Sequence, residues 1–441
     1  MKKILSITLA LLFLFTIAAC AVETPAPPDT GDPAPAPTDT SPTPTDTTPS
    51  EPVTQDDPEP VDVGPFPGVI AIVTNDVSQN EEEFRSAAAL IDKYGTDKVI
   101  HSVWPANFVA EGEQMITIVQ QIAENPDVRA LVINQAVVGT NAAVDKLLEI
   151  RDDVFIVYVS PAEAPADVAA RADLLLNTND LLRGVIMVEN AIKMGAETIA
   201  HYSFPRHMAV PILAGRRDIM QTTAEAMGVD FVDLPAPDPT GPDGLPGTQQ
   251  FILEDVPRQV EALGKNTAFF ATNCHMQTPL QIQVIETGSI YIEPCCPSPY
   301  HAFPASLGIE DKVFDGTVMA DVVDEDGNVV STDFGRRRTV EEVIAEIRSE
   351  VAARGNAGRM GTWPVPSQMM MTTAGFEYAA AFLRGEAPQD GLISYELLEG
   401  LMADYMYEVT GTHIEAEVNT FSIQGRSWQN FVLIMMGSLI F

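Results

Sequence analysis

The chain has 441 residues with 62 Asp and Glu against 25 Lys and Arg, a formal net charge of -37. A surface of that sign argues against DNA, RNA and anionic lipid headgroups as partners, since each repels it. Its length exceeds what one hydrophobic core normally serves and suits two lobes, and its apolar fraction of 46% is ordinary for a globular chain.

Residues 1–19 open with Lys2 and Lys3, continue through an apolar stretch too short to span a bilayer, and close on Ile17-Ala18-Ala19 before Cys20. This is the layout of an export signal cleaved at small residues. The ending resembles the lipobox of bacterial lipoproteins, which implies a lipid on the Cys20 thiol, an acyl chain on its amino group and durable attachment to the bilayer. Residues 20–66 are Pro, Thr, Asp, Ser and Glu with no Lys or Arg. They bury too little to fold and read as a disordered, semi-rigid tether.

Strand and helix signals alternate from Pro67 onward. GVIAIVTND, KVIHSVWP, VRALVINQ and VFIVYVSP are apolar β-branched runs, separated by amphipathic stretches such as EGEQMITIVQQIAENP. Nearly continuous apolar strands alternating with helices predict a parallel sheet covered on both faces. The pattern restarts after LLLNTND: ETIAHYSF, DFVDLPAP, TAFFATN and SIYIEP read as strands, with helices over 181–195, 215–228, 254–263 and 279–287 and a Pro/Gly-rich loop over 235–247. Residues 313–334 read as a hairpin turning at Asp326-Gly327-Asn328. Helices follow over 338–355, 369–386 and 395–407, and the apolar run 431–441 reads as a buried strand.

The order of GVIAIVTND, VRALVINQ, NTNDLLRG, IAHYSFPRH with LAGRRDIM, AFFATNCHMQTPL and GSIYIEP resembles the type I periplasmic binding proteins. It is closest to a little-studied lipoprotein family related to the basic-membrane-protein and simple-sugar receptors. The resemblance covers about residues 67–385. It implies an α/β fold of two doubly wound parallel-sheet lobes, with lobe 1 over 67–180, lobe 2 over 181–340, and residues 341–441 returning to lobe 1 and extending it. It also implies a lipid-anchored receptor on the extracytoplasmic face that passes a small polar molecule to the membrane permease of an ABC-type importer, or to a membrane signalling protein.

Open parallel sheets bind ligands at the carboxyl ends of their strands. Reading those ends gives Asn75, Asp76, Trp104, Asn134, Gln135 and Ser160 in lobe 1, and Ser203, Arg206, His207, Asn273, His275 and Glu293 in lobe 2. Arg206 is the candidate for a ligand carboxylate or phosphate, because a guanidinium grips two oxygens at once, although many acids compete for it. Arg216 and Arg217 read as a solvated helix face, with one of them facing the cleft as the alternative. Cys274, Cys295 and Cys296 with His275 and His301 permit a metal site, but the spacing matches no known finger; a disulfide from Cys274 suits an exported chain better, and free buried thiols remain open. No cofactor is expected. No G-x-S-x-G, H-E-x-x-H, Walker or dinucleotide fingerprint occurs, so the chain reads as a binder and not an enzyme.

Overall fold

The computed structural model describes residues 65–441 except 78, 314–317, 324–328, 337–338 and 424. The export signal, Cys20, nearly all of the tether and the turn at Asp326-Gly327-Asn328 lie outside the described residues.

Lobe 1 is a sheet built first from β1 (Val69–Thr74), β2 (Val99–Val103), β3 (Val128–Asn134), β4 (Phe155–Val159) and β5 (Leu174–Thr178), all parallel. Alternate strand residues feed opposite cores, as a period of two requires. Ile70, Ile72, Val132 and Val157 face the helices Glu81–Tyr94 and Ser367–Leu383, while Ala71, Val73, Ile133 and Tyr158 face Gly112–Glu124 and Thr140–Ile150. Burial on both sides explains why these strands read as unbroken apolar runs.

Lobe 2 repeats the plan. Its parallel sheet joins β6 (Thr198–Ser203), β7 (Asp230–Pro235), β8 (Thr267–Ala271) and β9 (Ile290–Tyr291) in the order β7-β6-β8-β9. One face packs Ile199, Ala268 and Phe270 against the helices Asp180–Lys193 and Pro211–Met227. The other packs Tyr202, Phe269 and Tyr291 against Gly244–Leu263, Gln277–Thr287 and Val340–Ala353. A separate antiparallel hairpin, β10 (Val318–Val323) and β11 (Val329–Arg336), matches the expected one. No described helix is long and apolar enough to cross a membrane.

The chain passes between lobes three times. It leaves lobe 1 after β5, where Asn179 caps the helix Asp180–Lys193 by accepting from Leu182 N. It returns through β12 (Gly361–Thr362), since Met360 lies in the core of lobe 2 and Trp363 and Val365 in that of lobe 1. There β13 (Ala416–Ile423) and β14 (Arg426–Met436) complete the seven-stranded order β13-β14-β5-β4-β3-β1-β2, β14 running parallel to β5. The third passage follows Met436, and β15 (Leu439–Ile440) pairs with β12 beside lobe 2.

Three expectations are corrected. The return to lobe 1 begins near residue 361 and not at 341, because Val343, Ile347 and Val351 give the helix Val340–Ala353 an apolar stripe that lobe 2 covers. The tether ends before residue 66: the Phe66 ring is fully buried against Tyr94 and Phe376. The helix expected over 254–263 starts at Gly244, so the end of the Pro/Gly-rich segment, 244–247, is its first turn.

Candidate functional site

The carboxyl ends of both sheets face one another across a cavity of about 360 Å³, within the range usual for small-molecule sites. From lobe 1 it is lined by Asn75 after β1, Gln135 after β3, Ser160 after β4 and Thr178 at the end of β5. From lobe 2 come Arg206 and His207 after β6, Thr272 and Asn273 after β8, and Cys295 and Cys296 after β9. Phe108, Val137, Val210, Ile212, Leu213 and Leu245 supply apolar wall.

Each expected contact has a definite position. Asn75, Gln135, Ser160, Arg206, His207, Asn273 and His275 reach the cavity; Asp76, Trp104, Asn134, Ser203 and Glu293 do not. Asp76 accepts from Gln79 N and shapes the turn after β1. Trp104 is buried in the core of lobe 1, its Nε1 donating to Gln135 O at 3.2 Å, so it offers no aromatic platform. Asn134, the last residue of β3, points to the opposite face and binds Gln368 O and Thr372 Oγ1 of the helix Ser367–Leu383. Ser203 pairs with Thr272 Oγ1 at 2.9 Å. Glu293 is 1% exposed and held by Arg183.

The charges in and under the cavity compensate one another. Arg206 makes a bidentate pair with Asp238, both bonds 2.8 Å, and is therefore not free for a ligand acid. Beneath the floor, fully buried Arg183 pairs with Asp180 at 2.6 Å and Glu293 at 2.7 Å. Arg216, also buried, shares Asp180, and both line the cavity, so of the two arginines it is the one that faces the cleft and not solvent; Arg217 pairs with Asp233 at the surface. Burial, and then the neighbouring Arg206, lowers the His207 pKa to about 3. Burial lowers that of His275 to about 4. Both rings are neutral near pH 7. Beside the two neutral imidazoles, the three thiols and the unpartnered Nε of Arg216, the polar groups in the lining are amides and hydroxyls, including Gln368, whose Nε2 donates to Ser160 Oγ at 2.9 Å. Sequence reading missed Gln368 because it lies on the helix that returns from lobe 2, far from any strand end.

A second group sits on the lobe 2 wall. Cys274 opens the short helix after β8, and Cys295 and Cys296 follow β9. The Cys274 sulfur lies 3.4 Å from that of Cys295 and 3.8 Å from that of Cys296, and all three are free thiols in this structure. Burial works against a thiolate on Cys295. Contacts with Cys274 and Cys296, then Arg216 and Arg183, nonetheless hold its pKa well below the usual thiol value. Gln135 Nε2 donates to Cys296 Sγ at 3.4 Å from across the cavity. Glu82 and Glu83 on the lobe 1 side are buried; burial raises the pKa of Glu82 to about 7, opposed by His301 and Ser298, and raises that of Glu83 well above its ordinary value.

Two doubly wound lobes joined by three passages, with a cavity between opposed strand ends, place the molecule in the type I periplasmic-binding-protein fold class. The chain belongs to the family described as protein of unknown function (DUF3798), which matches residues 69–333. An uncharacterised protein of Treponema pallidum (strain Nichols) is 31% identical over 173 residues, 39% of this chain and 79% of its own length. Among solved structures, a Clostridium difficile 630 protein provisionally labelled a transcriptional regulator superposes with a TM-score of 0.61 at 20% identity, covering 85% of this chain and 99% of its own. A periplasmic solute-binding protein of an ABC transporter from Actinobacillus succinogenes 130z, with bound D-allose, is similar at a TM-score of 0.46 and 13% identity, covering 73% and 93%.

Proposed function

We propose that the chain is an extracytoplasmic, lipid-anchored solute receptor that encloses an uncharged small molecule between its lobes and presents it to a membrane permease. One observation carries the reading: the polar ends of both sheets line a single cavity whose charged residues are already paired with each other. A charged ligand would enter such a site without a free counter-charge and would have to surrender its hydration. A polyhydroxy or amide-bearing molecule suits it better, its polar edge on Asn75, Gln135, Ser160, Asn273 and Gln368 and its apolar face on Val137, Val210 and Ile212. Binding alone is the role; no chemistry is required of the wall. Attachment through Cys20 would keep the receptor close to its permease.

A thermal-shift screen tests this. Neutral sugars, nucleosides and amides are expected to include a solute that raises the melting temperature with saturation, whereas amino acids and organic phosphates are not. Stabilisation by charged solutes alone would contradict it. Cys20→Ala is expected to move the protein from the membrane fraction to the soluble one, and retention in the membrane would remove the anchor from the account.

A further inference from the structure

We propose that Cys274, Cys296 and His301 bind one thiophilic divalent ion of the zinc class on the cleft wall. The ligand atoms of the first three lie within 4.8 Å of one another. On a tetrahedral ion with metal–sulfur bonds of about 2.3 Å, two thiolates stand roughly 3.7 Å apart. The sulfur of Cys274 lies 3.8 Å from that of Cys296, so the fold holds these two donors near that spacing. Neighbouring strands β8 and β9 bring the two loops together, which is why no finger-like spacing marks the site in the sequence.

An independent observation points to a cation here. Glu82 and Glu83, at 2% and 0% exposure, each keep one carboxylate oxygen without a hydrogen-bond partner. Glu82 is bonded to Ser298 and lies close enough to His301 to interact with it electrostatically, as Glu83 does with Cys296. An unsatisfied buried polar atom calls for a group that the protein itself does not supply, and a bound ion with its water is such a group. The Gln135 amide on Cys296 Sγ acts as the outer contact that orients a ligand. Cys274, Cys295 and Cys296 line the cavity, so an ion has a path from solvent.

The proposal does not rest on the solute-receptor reading, because metal uptake and solute binding are read separately. The full chain, reduced and freed of metal with chelator, is titrated with Co2+ as the probe. A near-ultraviolet thiolate-to-cobalt band is expected, saturating at one ion per chain and displaced by Zn2+. Cys274→Ser and Cys296→Ser should each weaken Co2+ binding by more than about tenfold, since loss of even an outer-shell partner costs that much. Zn2+ should also slow the reaction of the wild-type thiols with a thiol reagent, a readout independent of how any variant folds. No band in the reduced protein would overturn the proposal. So would a band that survives both substitutions together, or a Cys274–Cys295 disulfide that takes up no cobalt after reduction.

Discussion

His201 stands inside lobe 2 at 1% exposure, its ring stacked on Phe231 and Phe270 with centroids 6.0 and 5.8 Å away. Asp233 Oδ1 is 3.6 Å from Nδ1, beyond hydrogen-bond reach, and neither ring nitrogen has a partner. Burial lowers its pKa, with Asp233 opposing and Arg216 and Arg217 assisting. Since the unfolded chain then takes the proton first, stability is complete above about pH 6.5 and falls as pH drops toward the folded value, by at most about 1.4 kcal/mol per pH unit. In urea melts, His201→Phe should keep a constant offset from wild type above about pH 7 and gain on it below about pH 6; parallel curves down to pH 5 would refute this. At this scale the sequence was legible for most candidates past the last residue of a strand, with Asp76 turned instead to the backbone of its own turn. Gln135 and Asn273 are free of the pleat and reach the cavity, while Asn134, one residue earlier, is committed to the opposite face. A single residue of uncertainty in a strand end therefore reverses the assignment. Trp104 and Glu293 failed for another reason: their partners, Gln135 O and Arg183, are distant in sequence.

The element boundaries meet at Arg183. Its guanidinium binds Asp180, Glu293, Thr178 Oγ1 and the carbonyl oxygens of Pro294 and Cys295, and it lies 5.7 Å from the Trp363 ring. It thus ties the first passage between lobes to the loop after β9 and to the second passage. Arg183→Met leaves Glu293 buried without its cation and should cost about 3–5 kcal/mol in denaturant unfolding. Adding Glu293→Gln should recover part of that, because the pair is coupled. A loss below about 1 kcal/mol would show that the clamp does not hold the passages. The strands themselves were readable, because burial on both faces leaves unbroken apolar runs such as VRALVIN. The helix Gly244–Leu263 was not read to its true start, since Pro246 and Gly247 in its first turn carry loop composition. The lobe to which Val340–Ala353 belongs was beyond local pattern: an apolar stripe says that a helix is covered, not by what.

Across the whole molecule, two sheets that each end in polar residues are turned toward each other, and the chain crosses between their cores near Thr178, Thr362 and Met436. Side chains at opposite sheet ends already touch there, as Gln135 does Cys296. Solute held in that gap would bond to both lobes at once, so its binding energy would favour their closed arrangement. Val138 offers a way to obstruct the gap without disturbing a core, because it lines the cavity and is 39% exposed. The decisive measurement is a calorimetric titration of the full chain, wild type against Val138→Trp, with whichever neutral solute stabilises the wild type most. The account predicts one saturable site per wild-type chain and its loss in a variant that melts at the wild-type temperature; equal binding by both proteins would contradict it.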